Sequence, residues 1–248
     1  MITSRQNDRV KEIRSLKQKK YRDELGLYIV EGYKSVVEAL KSSHEVVQIV
    51  GVFEQIEKVK SVAEISDNII LEVSPNVYES VSDEVTPQGI LAVVKTPTFK
   101  TEYSLATSIA LDGVSDPGNV GAIIRTAAAS GYEDIYLISS ADPYSPKAVR
   151  SSMSGIFKVR THFVSREDFC KNVATPVVIA TMEGENVFSF NPPKDFCLVI
   201  GNEANGVSKE VRAVATHLVS IPMENGVESL NASVSAGILM YGLKSNRY

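Results

Sequence analysis

"DPGNVGAIIRTAAASG", residues 116–131, is a glycine-bearing loop running into a helix, a shape that often cradles a phosphate at the helix start. Projected at the helical period, Val120, Ile123, Ile124, Ala127 and Ala128 form a core stripe. The opposite side carries Gly121, Ala122, Arg125 and Ala129, so one arginine stands alone among very small residues. A helix apolar nearly all round is expected to be covered on two faces, by a partner chain or a ligand on the second. An arginine there is expected to find a partner, because leaving it buried and unpaired is costly. A structural ion pair and a functional contact both satisfy that expectation.

The phosphate reading does not survive comparison with the known phosphate loops. A Walker loop needs Gly-x-x-x-x-Gly-Lys-Ser/Thr, and no Gly-Lys pair occurs anywhere in the chain. The dinucleotide fingerprint needs Gly-x-Gly-x-x-Gly, whereas Gly118-Asn119-Val120-Gly121 has two glycines at another spacing.

Outward from this stretch, strand and helix patterns alternate. Strands are predicted at 108–114, 135–138, 159–164, 177–181, 197–200 and 218–221, and helices at 120–130, 146–153, 167–173, 209–215 and 232–244. Near-continuous apolar runs such as "PVVIAT" and "FCLVIG" suit a parallel sheet covered on both faces. Upstream, a second alternation spans 27–94, and the polar stretch "KTPTFKTEYS" between the two reads as a linker. The fold class is therefore α/β in two domains, residues 1–96 and 105–248, with 97–104 joining them.

The 248 residues suffice for two cores, and 44% hydrophobic with 23% charged residues is an ordinary globular composition. No apolar run is long enough to span a membrane and the N-terminus lacks a signal-peptide core, so the expected location is cytoplasmic. Cys170 and Cys197 have no zinc-like spacing and read as buried small hydrophobes; no metal is expected. His44, His162 and His217 stand apart from the motifs and read as structural or surface residues.

The net charge of −4 conceals a basic start: Arg5, Arg9, Lys11, Arg14, Lys17, Lys19, Lys20 and Arg22 face only Asp8 and Glu12 within the first 22 residues. Asn7 can cap a helix there, with Val10, Ile13 and Leu16 on its buried face and Arg9, Lys11, Arg14 and Lys17 toward solvent. A solvated charged face explains such a helix as well as a polyanion does.

Two further segments repeat the strand-to-loop pattern. "LVIGNEANGVS" (198–208) carries Glu203 in a Gly-rich turn, and "IPMENGVESLNASVSAGILMYG" (221–242) carries Glu228, Ser229 and Asn231 before a small-residue helix. Three glycine-bearing loops past the carboxyl ends of strands fit a binding crevice.

Together, in this order, these segments resemble the three motifs of the SpoU/TrmH family of RNA 2′-O-ribose methyltransferases, within the SPOUT superfamily. The resemblance covers 107–245. Residues 4–32 and "TPQGILAVV" (86–94) are similar to the family's substrate-binding domain, which is akin to a ribosomal protein. It implies a C-terminal domain tied in a deep trefoil knot, an exception to the unknotted norm, with S-adenosylmethionine bound in the knotted loops, and a homodimer acting on RNA, with ribosomal favoured over transfer RNA. Carried over by position, Arg125, Glu203, Asn231, Ser229 and Asn119 match the catalytic set, and Thr181, Gly201, Ile221 and Leu230 the cofactor set. The resemblance also turns Arg5, Arg9, Lys19, Lys20 and Arg22 into RNA contacts. Ala204 stands where the family usually has glycine, and Asn225-Gly226 displaces another glycine by one. A protein of this fold that binds RNA without catalysis is the alternative.

Overall fold

The computed structural model describes residues 1–99, 103–227 and 229–245; the nominated Glu228 and part of the expected linker lie outside these. The chain divides into two compact units, Met1–Thr98 with Tyr144–Phe157, and Phe99–Pro143 with Lys158–Tyr248. Both are α/β.

In the first unit, β1 (Leu27–Glu31), β2 (Val46–Gly51), β3 (Ile70–Glu72) and β4 (Ile90–Lys95) form a sheet in the order β1-β4-β2-β3. β4 is antiparallel to both neighbours, and β2 and β3 are parallel. The helices are α1 (Asp8–Ser15), α2 (Lys19–Leu25), α3 (Tyr33–Lys41), α4 (Phe53–Lys60) and α5 (Pro75–Val81). Asn7 caps α1 as expected, its side chain accepting from the Arg9 N–H at 3.0 Å. Val10, Ile13 and Leu16 enter a core with Ile29, Val50, Val77, Tyr78 and Leu91.

Two basic residues depart from the reading of a wholly solvated basic face. Lys17 is half-buried and donates to the Ser82 carbonyl. Arg22 is 5% exposed, and its guanidinium donates to the carbonyls of Leu16 (2.8 Å) and Lys17 (2.9 Å). It satisfies carbonyls that the end of α1 leaves open, so its assignment as an RNA contact is corrected to a structural one.

The helix at Pro146–Ser152 counts with this unit, although the sequence pattern ran it into the second alternation. Aromatic residues flanking it explain why. Tyr144 packs on Tyr28 with ring centroids 4.9 Å apart, and Phe157 meets His44 edge-on at 5.2 Å.

The second unit holds β5 (Ser108–Asp112), β6 (Asp134–Ile138), β7 (Arg160–Val164), β8 (Val177–Asn186), β9 (Cys197–Gly201) and β10 (His217–Ser220) in the order β10-β8-β9-β5-β6-β7. Every adjacent pair is parallel. β5 and β6 are buried at every residue, which is what the unbroken apolar runs require. Its helices are α6 (Pro117–Ser130), α8 (Arg166–Asn172), α9 (Lys209–Ala213) and α10 (Ala232–Ser245), α7 being the Pro146–Ser152 helix of the first unit. At the linker end, Tyr103 stacks on Tyr136 at 5.0 Å and donates to Asp168 at 2.9 Å.

Phe169 of α8 and Val211 of α9 join a core with Ala110, Tyr136 and Val199. α6 and α10 pack together through small residues: a Cβ on Gly237 would lie 3.7 Å from the Thr126 methyl, and Ser130 Oγ reaches Met240 Sδ at 3.6 Å. The second face of α6 is thus partly covered by the chain's own α10, and Gly121 is buried, while Arg125 and Ala129 stay exposed. Among the described residues no helix is long and apolar enough to cross a membrane, and no cluster of three or more His, Cys, Asp or Glu could hold a metal ion.

Candidate active site

The start of α6 explains why the opening stretch is no phosphate loop. Asp116 is the N-cap, its Oδ1 accepting from the Asn119 N–H at 2.9 Å, and Pro117 opens the helix. A carboxylate already sits on the amides and positive dipole end that a phosphate would need. Gly131, at φ 73°, closes the helix in the left-handed conformation that favours glycine.

Asn119, one turn into α6, joins three loops. Its Nδ2 donates to Glu203 Oε1 at 2.9 Å, and its Oδ1 accepts from Asn231 Nδ2 at 3.0 Å. Asn231 in turn caps α10, its Oδ1 accepting from the Ser233 N–H at 2.9 Å and the Ser233 hydroxyl at 2.6 Å. The other Glu203 oxygen accepts from the Ser115 N–H (3.4 Å) and hydroxyl (3.3 Å). Partial burial pushes the Glu203 carboxyl up, but the hydrogen bonds from Asn119 and Ser115 outweigh it and hold it below its ordinary range. The loops after β5, β9 and β10 are therefore tied by one line of side chains ending on an ionised carboxylate.

Beside this line lies a cavity of about 560 Å³, lined from β8, β9, β10 and the chain that follows them. Thr181, Gly201, Ile221 and Leu230 line it, as do Glu203 and Ser229; Asn119, Arg125 and Asn231 do not. Two irregularities open the space. β8 and β10 pair at Ile179 with Leu218 and next at Glu185 with Val219, so the ladder is interrupted between them, and residues 180–183 line the cavity there. After β9 the chain doubles back, Asn202 and Gly206 exchanging backbone hydrogen bonds at 2.9 Å, and Asn202 Oδ1 accepts from the N–H groups of Ala204 and Asn205 at 3.0 Å. The alanine in place of glycine needs no left-handed backbone there, and Asn225 (φ 56°) and Gly226 (φ 72°) are the two residue types that adopt such a turn readily.

The cavity's charged lining among the described residues is Glu183, Glu203 and Arg212. Arg212 is paired with Glu183 at 3.0 Å, which leaves Glu203 as the uncompensated charge. An acidic lining suits a cationic ligand and disfavours a pyrophosphate. Its volume falls within the range that small cofactors occupy.

Arg125 lies six residues beyond Asn119 on α6, exposed, and makes no hydrogen bond or ion pair with the described residues. The histidines lie apart from the cavity: His162 is buried against Asp134, His44 meets Tyr28, and His217 meets Thr216. Sequence reasoning passed over Asp112. At the end of β5 and 1% exposed, its carboxylate accepts from Arg166 Nε at 2.9 Å and from the Ser208 N–H at 2.7 Å, tying the far end of the β9 loop and the start of α8 to β5. A carboxylate ending an apolar run, "SIALD", was the available signal. Ser115 carried none.

A parallel α/β unit with a cofactor-sized cavity and hydrogen-bonded polar loops at the carboxyl ends of its strands is a ligand-binding enzyme architecture. Residues 106–241 match the SpoU rRNA Methylase family, and residues 7–92 match the MRM3-like substrate binding domain. The chain belongs to the SpoU rRNA methylase family. It is 32% identical over 251 residues to the 23S rRNA (guanosine(2553)-2′-O)-methyltransferase RlmP of Bacillus subtilis, covering 98% of each chain. Among solved structures, the AdoMet-bound rRNA methyltransferase from Sinorhizobium meliloti is 30% identical with a TM-score of 0.86, covering 100% of this chain and 98% of that one. A crystal structure of an RNA 2′-O ribose methyltransferase is 29% identical with a TM-score of 0.83, covering 99% and 98%.

Proposed function

We propose that this protein transfers a methyl group from S-adenosylmethionine to the 2′-hydroxyl of a ribose in ribosomal RNA. One observation carries the reading beyond family membership: the Asn231–Asn119–Glu203–Ser115 line, which ties the loops after β5, β9 and β10 beside an acidic cavity. Thr181, Gly201, Ile221 and Leu230 hold the cofactor, and the uncompensated charge of Glu203 suits its cationic sulfonium. When bound, the cofactor supplies an activated methyl whose leaving group needs neither acid nor metal.

The residues of the chain have the remaining tasks. A guanidinium stays charged at neutral pH, so Arg125 acts by stabilising the alkoxide that develops on the 2′-hydroxyl, whose proton leaves to solvent water as the methyl is transferred, and by orienting the ribose or its phosphate. Asn119, Asn231 and Glu203 hold the loops in register, and Ser229, at the cavity wall, positions the ribose against the methyl donor. Arg5, Arg9, Lys19 and Lys20 meet RNA phosphates.

The deep trefoil knot and the homodimer implied by the family are part of this reading. Val234 and Tyr241 of α10 are half-exposed, with Ile238 between them on the same helical stripe and Arg125 on the packed neighbour α6. Such a stripe suits a second copy of the chain. The test is to map 2′-O-methyl sites in total RNA with and without the protein, and to repeat single-turnover methylation with Arg125→Ala. A lost methyl site with unchanged cofactor affinity is expected; full single-turnover activity of the variant removes Arg125 from the chemistry.

A further inference from the structure

Three strand ends of the first unit meet at one place. β1 ends at Glu31, β2 at Gly51, and β4 begins at Ile90, with Glu31 opposite Leu91 and Gly51 opposite Ile90. The Gly32 N–H donates to the Ile90 carbonyl at 3.0 Å and the Val52 N–H to the Gly89 carbonyl at 2.9 Å. Gly32 (φ 95°) and Gly89 (φ 79°) turn the chain here, and a Cβ on Gly51 would lie 2.5 Å from Ile90 Cδ1. The glycines let the side chains of Gln88, Val52 and Ile90 close in on the junction, and what stands outside it is decided by the side chains that follow.

Those side chains are aromatic and basic. Phe53, opening α4, is 61% exposed although nothing in the fold requires an apolar group there. Tyr33, opening α3, has Lys58 Nζ 4.4 Å above its ring, and its N–H donates to Gln88 Oε1 at 3.0 Å, which fixes the amide across Gly32. Lys34 is exposed beside it. The acids nearby are Glu31, whose carboxylate accepts from the Tyr78 and Ser82 hydroxyls and the Asp83 N–H, Glu54, exposed, and Glu57, which Lys60 meets at 3.8 Å.

We propose that this junction receives an unpaired segment of RNA, with a base stacked on Phe53 and the backbone passing Lys34 and Lys58. The proposal rests on the reading that the first unit binds the substrate RNA. A duplex offers phosphates and 2′-hydroxyls and has no use for an exposed ring, whereas splayed bases stack on aromatic side chains. Glu54 repels a phosphate placed directly at Phe53, leaving the uncharged base as the group that the ring can take. Lys58 over Tyr33 holds a cation on the α3 side of the junction at low cost in freedom, where the RNA backbone would pass.

The chain has no tryptophan, so Phe53→Trp places a single reporter at the surface. With the full-length protein and a single-stranded oligouridylate of about twelve nucleotides, a length within the span of such sites, saturable quenching is expected; an equally long RNA duplex leaves the fluorescence unchanged. Phe53→Ala is expected to weaken oligonucleotide binding about tenfold, with cofactor affinity and melting temperature unaltered. Lys58→Gln is expected to lower the salt dependence by roughly 0.7 in log–log slope, the share of one phosphate contact. Absence of quenching, equal quenching by duplex, or wild-type affinity of Phe53→Ala overturns the proposal, including in favour of a protein partner. If quenching occurs but no RNA is methylated, the surface stands and the enzymatic reading falls; methylation without any dependence on Phe53 does the reverse.

Discussion

Gly201→Ala tests the proposed role of one close backbone approach in cofactor binding. A Cβ at this position would lie 2.3 Å from the Gly206 carbonyl carbon, 2.4 Å from the Val207 nitrogen and 2.6 Å from the Gly206 oxygen. None of these atoms belongs to a side chain that can rotate away. Gly201 does not have a positive φ, so alanine can adopt its conformation and the penalty is steric alone. Relief requires the return strand of the loop to withdraw by about 0.7 Å, the gap between 2.3 Å and the 3.0 Å limit below which real Cβ contacts do not fall. Overpacking of this kind costs about 1–3 kcal/mol. Residues 202–207 all line the cavity, so a displacement of that return falls on the proposed cofactor site. Through RT ln K, that energy corresponds to roughly a 5- to 150-fold rise in the Kd for S-adenosylmethionine. Isothermal titration with the cofactor reads it directly, and thermal melting reports whether the fold is retained. Gly206→Ala is the control, because a Cβ there meets nothing within 4 Å and only its φ of +67° is strained. A Gly201→Ala affinity within about twofold of the parent protein would refute the reasoning.

Two other perturbations probe the scaffold. Asp134 accepts from Arg160 Nε (2.8 Å) and Nη2 (2.7 Å) and from His162 Nε2 (2.8 Å); burial pushes its carboxyl up, but these bonds hold it well below its ordinary range. A depressed carboxyl contributes stability above its unfolded pKa and loses it as pH falls through the folded value. Asp134→Asn is therefore expected to lower the urea midpoint near pH 7, with the difference from the parent shrinking below about pH 4; an undiminished difference at about pH 3 contradicts the assignment. Tyr144, 3% exposed against Tyr28, ties the Pro146–Ser152 helix to the first unit. Tyr144→Ala is expected to cost about 3 kcal/mol, read as earlier urea unfolding, and a loss below about 1 kcal/mol would mean that the helix is held by other contacts.

The fold was legible where local pattern and tertiary environment agree. β5, β6 and β9 carry apolar residues through their middles because both faces are covered, and the same residues therefore announce a parallel sheet. α2 was missed because "KKYRDEL" offers no apolar stripe, its one buried residue being Arg22. The polar end of β8, "MEGEN", carries no periodicity either; its last residues pair with β10 only after an interruption that no local rule anticipates. α7 is the instructive case. A strand-helix-strand pattern reads the same whether the helix covers its own sheet or another, and the deciding contacts join Tyr144 to Tyr28 and Phe157 to His44, more than a hundred residues apart in sequence.

The site was legible residue by residue, but not in its connections. Glu203 and Asn231 stood out as polar groups in strand-end loops, and Asn119 came only with the family resemblance; that the amide of Asn119 is used at both ends, donating to one and accepting from the other, is a property of three segments brought together. For Arg125 the structure narrows the alternatives. Its small neighbours suggested a face covered by a partner chain or a ligand, with a structural ion pair as the other way to satisfy a buried guanidinium. α10 covers the side of α6 that bears Thr126 and Ser130, and Arg125 is left in water, where an unpaired guanidinium costs little. Of the alternatives open from the sequence, a structural ion pair finds no partner among the described residues. The remaining two lie outside the chain, a second copy or the RNA itself, and Arg125→Ala distinguishes them: loss of dimer at unchanged intrinsic rate for the first, loss of rate in an intact dimer for the second.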